Sequence, residues 1–255
     1  MKAKLIGKHL EDIIPLLEAR GFELTDGTAE LIVAHGGDGA LLDAERLYPG
    51  IPKLPLRDEE TAPLCKEHSY EKQLDEFCAG RSVKTLNPKL HCRFREREIF
   101  GLNDIFIHNS NRARAMRYRV WINDELYANE IVGDAVGMST VHGSTAYYRS
   151  ITHSIFKTGL GLAFSNSTEV VNHLVLPDDA VVKIRIIRGP GLIIADNNPD
   201  FIEIPQDCEV AVHKAKENAV IYGLANFMCQ RCRLLRHPRQ FKDENPFIFN
   251  HKNSQ

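Results

Sequence analysis

Two glycine-rich stretches carry the residue types that could do chemistry in this chain, and the shorter one reads Gly36-Gly37-Asp38-Gly39. Three glycines allow backbone N–H groups to approach phosphate oxygens closely, and they put Asp38 at the same point. A carboxylate repels bound phosphate unless a divalent ion or a transferable proton intervenes. Asp38 is therefore a candidate general base toward a hydroxyl, or a partner of Mg²⁺. The alternative is an ordinary strand-to-helix turn in which Asp38 acts as a cap.

The longer stretch runs from Glu130 to Tyr147 and combines glycines with hydroxyl side chains. These residues are Gly133, Gly137, Ser139, Thr140, Gly143, Ser144 and Thr145. Glycine permits turns and close backbone approach, and each hydroxyl can both donate and accept a hydrogen bond. We expect this segment to pack a core poorly, to wrap a polar ligand, and to face the Gly36–Gly39 turn across one cleft.

Three further residues could contact a nucleotide or its phosphates. Asn103 and Asp104 precede an apolar run, and an amide suits a purine edge or a ribose while a carboxylate can accept from a sugar hydroxyl. The alternative for this pair is a turn before a strand. His142 has an ordinary pKa of about 6.5, so it could shuttle a proton or meet a phosphate as a cation. It could equally be a hydrogen-bonded residue of the wall.

Two arginine clusters allow two interpretations. They comprise Arg112, Arg114, Arg117 and Arg119 in the middle of the chain, and Arg231, Arg233, Arg236 and Arg239 near its end. A spacing of two puts neighbouring side chains on one face of a strand. Such a face is usually solvated, but arginine also fits phosphate well, so a site for a polyanion is the alternative.

The first part of the chain has the pattern of an α/β domain. A strand is predicted at Lys4–Gly7, a helix at His9–Ala19, a strand at Ala29–Ala34, and helices at Ala40–Leu47 and Ser69–Cys78. The glycine turn follows the second strand and precedes a helix, an order that brings phosphate to a helix N-terminus. Prolines at 49, 52, 55 and 63 predict loop and edge structure in between.

The second part alternates as strands do. Strands are predicted at Leu90–Phe94, Glu98–Phe100, Asp104–His108, Arg117–Ile122, Leu126–Ala128, Leu174–Leu176, Val181–Ile187, Leu192–Ala195 and Glu209–His213. Short strands with regular turns indicate an all-β domain. We therefore predict an α/β domain at 1–95, a β-rich domain at 96–230, and a terminal segment at 231–255 that packs back on the first domain or is a loose tail.

The composition excludes several classes of protein. With 255 residues, 43% hydrophobic content and a net charge of −2, the chain is expected neither to bind nucleic acid nor to enter a membrane. Charges interrupt the apolar N-terminal stretch, so no signal peptide is predicted. The six cysteines are scattered, which favours a cytoplasmic location over a disulfide scaffold. Cys229 and Cys232 form a lone C-x-x-C pair, so no metal site is predicted there.

In these motifs the sequence resembles the NAD kinase family. That family carries G-G-D-G, then an N-E pair, then G-D-G followed by S-T-P-T-G-S-T-A-Y. The chain matches this order with Gly36–Gly39, Asn103-Asp104, Gly133-Asp134-Ala135 and Ser139–Tyr147. Leu174–Asp178 is similar to the family's V-L-P-D, and Asp196-Asn197 falls where the family often has a D-G turn.

The resemblance implies a fold, a reaction and a set of site residues. The fold is an α/β N-terminal domain with a strand–turn–helix unit, joined to an all-β C-terminal domain. The reaction transfers a phosphoryl group from ATP or polyphosphate to the 2′-hydroxyl of NAD, with a divalent cation (Mg or Mn) and usually in a homo-oligomer. Asp38 would activate the hydroxyl. The nucleotide and its phosphates would contact Gly36, Gly37, Gly39, Asn103, Asp104, Asp134, Thr145, Ala146, Tyr147 and Ser150.

The chain also departs from the family's pattern. Ala40 replaces the Thr after G-G-D-G, and Val141 and His142 replace Pro and Thr in the hydroxyl-rich motif. The family's N-x-G-x-L-G-F loop is absent, and the segment 54–60 (L-P-L-R-D-E-E) stands in its place. Two alternatives therefore stay open: a diverged kinase acting on another hydroxylated small molecule, such as a nucleoside or sugar alcohol, and a non-catalytic nucleotide-binding regulator.

Overall fold

The computed structural model describes residues 1–58, 60, 69–111 and 113–224. The helices are α1 (Ile14–Ala19), α2 (Asp38–Leu47), α3 (Tyr70–Cys78) and α4 (Tyr147–Thr152), with 3-10 turns at Leu10–Asp12 and Gly143–Thr145. The strands of the first half are β1 (Lys2–Gly7), β2 (Glu23–Leu24), β3 (Leu31–His35), β4 (Lys53–Leu56), β5 (Lys84–Asn87), β6 (Leu90–Phe94), β7 (Arg97–Gly101) and β8 (Asp104–Asn109). Those that follow are β9 (Met116–Ile122), β10 (Glu125–Gly133), β11 (Ala135–Ser139), β12 (Leu160–Ser165), β13 (His173–Leu176), β14 (Val182–Arg188), β15 (Gly191–Ala195), β16 (Ile202–Ile204), β17 (Glu209–Lys214) and β18 (Ala219–Tyr222).

The first sheet has the order β2-β1-β3-β4-β18-β5, in which only β5 runs antiparallel to its neighbour. All five residues of β3 are buried, as expected for a central parallel strand covered on both faces. Ile13 and Leu17 pack with Leu31 and Val33 in the core. The predicted α/β architecture with a strand–turn–helix unit is therefore confirmed.

The proline-rich segment was predicted to form loop and edge structure, but part of it forms an inner strand. Lys53–Leu56 forms the inner strand β4, all four residues of which are buried. Pro55 is tolerated because β4 pairs along its length with β3, whereas its pairing with β18 is confined to Lys53 opposite Ile221. The prediction was wrong because it weighed the prolines above the apolar residues between them. Pro63 lies outside the described residues.

The second and third sheets have the orders β10-β9-β14-β17-β6-β7 and β13-β12-β11-β8-β15-β16, and all of their pairings are antiparallel. One hydrophobic core joins both sheets, and it contains Tyr118 and Ile184 from one sheet and Ile107 and Leu162 from the other. The all-β character predicted for this part is confirmed. The predicted boundaries stay predictions; β6 lies in the second sheet, and β18 returns to the first.

The middle of the glycine-rich segment Glu130–Tyr147 belongs to the core, which corrects the expectation that it packs poorly. All five residues of β11 are buried between β8 and β12. A Cβ at Gly137 would lie 2.3 Å from the carbonyl oxygen of Ile105. Glycine is therefore present there for close packing, and Val136 and Met138 supply the apolar side chains.

The described part of the central arginine run lies partly on the outer face of the second sheet. Arg117 pairs with Glu130 at 2.7 Å, and Arg119 donates to the carbonyl of Asn129 at 2.9 Å. These contacts are typical of a solvated face. Arg112, the terminal arginine cluster, the C-x-x-C pair and the segment 231–255 lie outside the described residues. Within the described ranges, no helix combines the length and apolar composition needed to cross a bilayer.

Candidate functional site

The glycine turn connects β3 to α2 at the carboxyl edge of the parallel sheet. Gly36 has a φ of 136°, a left-handed conformation that favours glycine. Gly37 precedes the helix in an extended conformation, and Asp38 is the first helical residue. Backbone N–H groups at a helix start are unpaired within the helix and attract anions. The turn therefore has the geometry of a phosphate cradle, with the Asp38 carboxylate at its entrance.

Asp38 contacts an arginine that the sequence motifs did not single out. The Asp38 Oδ1 atom accepts a hydrogen bond from Nη2 of Arg57 at 3.1 Å. Arg57 directly follows β4 and is 7% exposed, whereas the Asp38 side chain is 37% exposed. The signal that could have found Arg57 is its position: β3 and β4 are parallel neighbours, so the residues after them meet at one edge.

Asn103 and Asp104 are both buried, and the backbone around them is held by one carboxylate. Asp196 accepts hydrogen bonds from the N–H groups of Leu102 at 2.7 Å, Asn103 at 2.7 Å and Asp104 at 3.0 Å. Burial raises the pKa of Asp196 to about 6 despite these bonds. Burial, reinforced by the charge of Asp196, also raises the pKa of Asp104 well above its ordinary value.

The hydroxyls of Ser139 and Thr140 pack against this segment instead of facing a ligand. Thr140 Oγ1 donates to the carbonyl of Leu102 at 2.7 Å, and Ser139 Oγ donates to that of Asn103 at 3.1 Å. A Cβ at Gly143 would lie 2.0 Å from the carbonyl oxygen of Asn103. The expectation that these two hydroxyls wrap a ligand is wrong, because burial made protein carbonyls their partners.

The two motif regions meet at the junction between the parallel sheet and the β-rich part. Asn197 follows Asp196, and its Nδ2 atom lies 3.5 Å from the carbonyl oxygen of Gly39 and 3.2 Å from Oδ1 of Asp43. A chain of contacts thus runs from α2 through Asn197 and Asp196 to the Asn103 segment. The candidate site that these contacts hold together combines a phosphate cradle with buried polar groups.

A second group of predicted residues lies on the outer face of the third sheet. The Tyr147 ring stacks on His108 with centroids 5.5 Å apart and meets Phe106 edge-on at 4.9 Å. Ser150 Oγ donates to the Tyr147 carbonyl at 2.7 Å. A pocket of about 470 Å³ opens here, and its lining includes Tyr147, Ser150, His153, Asn166 and Asn172. His108 was not predicted as a site residue, and burial lowers its pKa.

The other predicted residues lie at different points of the same region. Thr145 ends the 3-10 turn, and Ala146 connects it to α4. Asp134 accepts from Nδ2 of Asn166 at 3.1 Å, at the end of β11 opposite to Ser139. A strand of this length puts Asp134 on the order of 15 Å from the Asp104 end. The structure therefore groups Asp134 with Asn166, away from Asp104. His142 is half-buried beside the turn.

Comparison with known proteins identifies relatives across most of the chain. The NAD kinase of Aquifex aeolicus is 30% identical over 224 residues, which cover 83% of this chain and 77% of that protein. The NAD kinase of Enterococcus faecalis is 27% identical over 215 residues, covering 80% of this chain and 75% of that protein. No protein-family model matches the chain.

The fold is shared with a solved structure of the same group. Yeast NADH kinase, solved in complex with NADH, superposes with a TM-score of 0.77 at 15% sequence identity, covering 97% of this chain and 89% of that one. This identity is too low to transfer more than the fold, whereas the Aquifex relative is 30% identical over 83% of the chain. The chain belongs to the NAD kinase family.

Proposed function

We propose that this protein transfers the terminal phosphoryl group of ATP, or of polyphosphate, to the 2′-hydroxyl of NAD and so produces NADP. The observation that carries the proposal is the Asp38 carboxylate at the glycine turn, held by Arg57 at 3.1 Å. Membership in the family supports the reaction, and the solved complexes of yeast NADH kinase with NADH and of an Archaeoglobus fulgidus NAD kinase with ATP name the matching nucleotides for those proteins.

In this proposal Asp38 takes the proton from the acceptor hydroxyl as the oxygen attacks phosphorus. Its half-exposed side chain at the start of α2 lets a ligand reach it, and the neighbouring N–H groups can bind phosphate oxygens. Arg57 fixes the carboxylate and adds a positive charge beside the phosphates. Gly36, Gly37 and Gly39 leave room for the phosphate chain.

The nucleotide would extend from this turn over the β-rich part. Asn103 and Asp104 are proposed to contact the adenosine portion, and the raised pKa of Asp104 keeps its carboxyl protonated over a wider pH range, so that it can donate as well as accept. Tyr147, Ala146, Thr145 and Ser150 would line the remaining pocket. Asp134, together with Asn166, would border it at the far end of β11.

A divalent cation, Mg²⁺ or Mn²⁺, would supply charge neutralisation on the transferring phosphates. The Asp38 carboxylate, at the carboxyl edge of the parallel sheet, offers suitable oxygen donors. Asp38 would then serve both as the proton acceptor and as a neighbour of the cation.

We also propose that the protein acts in the cytoplasm and as a homo-oligomer. The free cysteines Cys78, Cys92 and Cys208 agree with a reducing compartment. Val170, before the edge strand β13, and Val175, within it, are 95% and 49% exposed, which would favour contact with a second copy. Size-exclusion chromatography with light scattering tests the oligomer.

The experiment that tests the proposed reaction follows NADP formation by purified protein with NAD, a divalent cation, and ATP or polyphosphate. NADP formation with either donor supports the proposal. Folded protein that forms no NADP with both donors contradicts it.

A second candidate, a kinase for another hydroxylated small molecule, is favoured by one observation. The segment after β4 carries Arg57, Asp58 and Glu60, where the resemblance to NAD kinases led us to expect a glycine-rich loop. A screen of nucleosides and sugar alcohols for stimulated ADP release separates the candidates, since release stimulated by NAD alone excludes this one. Binding of NAD without any turnover that depends on Asp38 would instead indicate a regulator.

A further inference from the structure

Three metal-binding side chains converge at the carboxyl edge of the parallel sheet, outside the family motifs. His9 lies two residues after β1, and Asp58 and Glu60 follow β4. One potential ligand atom from each of the three side chains lies within 4.8 Å of the other two. His9 Nε2 and Glu60 Oε2 are 3.9 Å apart. One ion could therefore contact all three with modest side-chain movement.

The topology puts this cluster across the end of β3. In the sheet, β1 and β4 lie on either side of β3, and β3 leads directly into the glycine turn. His9 follows β1, and Asp58 and Glu60 follow β4, so an ion bound to all three would lie over the end of β3, where the glycine turn begins. The cluster is also covalently continuous with Arg57, which contacts Asp38 at 3.1 Å. The three side chains thus border the phosphate cradle.

The donor set has a definite chemistry. Two carboxylates and one imidazole form a set that hard and borderline divalent ions accept. Oxygen donors alone would suit Mg²⁺, whereas the imidazole nitrogen shifts the preference toward Mn²⁺ and similar transition metals. Asp58 is 3% exposed, so its carboxylate is held in place. His9 and Glu60 are exposed, so an ion can enter from solvent and keep open positions.

A second histidine lies at this edge and has a buried nitrogen without a hydrogen-bond partner. His35, the last residue of β3, is completely buried, and its Nδ1 atom lies 2.7 Å from the carbonyl oxygen of Lys8, the residue before His9. Donation to that carbonyl puts the proton on Nδ1 and leaves Nε2 as an acceptor. The Nε2 atom is buried without a hydrogen-bond partner. A metal-bound water is a donor that could satisfy it.

We propose that His9, Asp58 and Glu60 bind one divalent transition-metal ion, with Mn²⁺ preferred over Mg²⁺, at the entrance of the phosphate cradle. The open coordination positions would take water, or phosphate oxygens of the nucleotide when one is bound. Only this last role rests on the proposed function; binding of the ion to the protein alone does not.

The test titrates Mn²⁺ alone into the full-length protein without nucleotide and follows the electron paramagnetic resonance signal of free Mn²⁺. Wild-type protein should bind one equivalent and should retain it against an equal concentration of Mg²⁺. His9→Ala and Glu60→Gln should each weaken binding by at least about tenfold, because each removes a direct ligand. Both side chains are exposed, and circular dichroism verifies that the variants fold.

Asp26→Asn is the matched control, because Asp26 is an exposed carboxylate of the same sheet region and lies outside the cluster. It should bind Mn²⁺ as the wild type does. Pulsed spectroscopy should detect nitrogen coupling to bound Mn²⁺ in the wild type and lose it in His9→Ala. Failure of the wild type to bind Mn²⁺, or unchanged binding in both His9→Ala and Glu60→Gln, overturns the proposal.

These experiments separate a failure of the metal-site proposal from a failure of the proposed kinase activity. Mn²⁺ binding that depends on His9 and Glu60, in protein that forms no NADP, would support the metal site and contradict the kinase. If the protein forms NADP but does not bind Mn²⁺ in the absence of nucleotide, the kinase is supported and the metal site is contradicted.

Discussion

The carboxylate of Asp38 and the guanidinium of Arg57 are joined at 3.1 Å across the ends of two parallel strands, β3 and β4. One residue comes from a glycine turn that many phosphate-binding proteins use, and the other comes from the segment directly after β4. Their contact adds Arg57 to the candidate site.

Replacement of Arg57 should therefore lower activity without abolishing nucleotide binding. Arg57→Gln removes a charged hydrogen bond, which is typically worth about 1.5–3 kcal/mol, so kcat/KM for NADP formation should fall about tenfold to a hundredfold. Arg57→Lys keeps the charge but loses the planar donor pair, and an intermediate value is expected. Steady-state kinetics on both variants checks this, and an unchanged kcat/KM in Arg57→Gln would exclude Arg57 from the site.

Gly143→Ala should disrupt the Asn103 segment. The added Cβ would lie 2.0 Å from the Asn103 carbonyl oxygen and 2.4 Å from its carbonyl carbon, both of them backbone atoms. Overpacking of this kind costs about 1–3 kcal/mol in the free energy of unfolding. Gly27→Ala is the control, since its Cβ would make only an ordinary contact at 3.5 Å with Thr25. Chemical denaturation should distinguish the two variants, and equal stabilities would contradict the packing.

Glu45→Gln should destabilise the junction near the C-terminal end of α2. Glu45 forms ion pairs with Lys53 and with Lys89, and all three side chains are buried. Removal of the shared carboxylate leaves two buried cations, and a loss of about 3–5 kcal/mol is expected. Glu11→Gln, at an exposed glutamate, should have little effect.

The loss in the free energy of unfolding caused by Glu45→Gln should also depend on pH. Burial already lowers the pKa of Lys53 from 10.5, and Glu45 opposes that shift. Without Glu45 the folded-state pKa falls further below the unfolded value, so stability rises with pH toward 10.5 as the lysine becomes neutral. Chemical denaturation of the wild type and the variant at pH 7 and pH 9.5 should show a smaller difference in stability at the higher pH. An equal or larger difference at pH 9.5 would contradict this account.

The contribution of Asp104 to the free energy of unfolding should change with pH in the opposite direction. Its folded-state pKa lies well above the ordinary 3.8, mainly through burial and further through Asp196. The protonated carboxyl therefore favours the folded state at low pH, and this contribution is lost as the pH rises through the folded-state pKa. The free energy of unfolding of the wild type minus that of Asp104→Asn should decrease from pH 4 to pH 7. A constant difference would show that Asp104 titrates normally.

Much of the fold could be predicted because its patterns are local. The apolar run before Gly36 predicted β3, and the alternation of Arg117, Tyr118, Arg119 and Val120 predicted β9. The helix predicted at Ser69–Cys78 is α3, with Ser69 as its N-cap. The inner strand β4 was missed because the prolines masked four residues whose burial depends on distant partners.

The candidate site was harder to predict because its contacts are non-local. The sequence predicted Asp38 and Tyr147 as site residues but not Arg57 or His108, whose contacts with those two residues arise only in the folded chain. It also treated Thr140 as a ligand-facing hydroxyl, although Thr140 donates to the carbonyl of a residue 38 positions away. Hydroxyl-rich sequence alone does not distinguish a binding wall from internal packing.

The most direct test of the account compares NADP formation from NAD and ATP by wild type, Asp38→Asn and the control Asp26→Asn. If Asp38 accepts the proton of the acceptor hydroxyl, Asp38→Asn should lower kcat by about 10²–10⁴-fold while its melting temperature and its binding of NAD change little. Asp26→Asn should match the wild type. Turnover by Asp38→Asn at the wild-type rate would contradict the central claim.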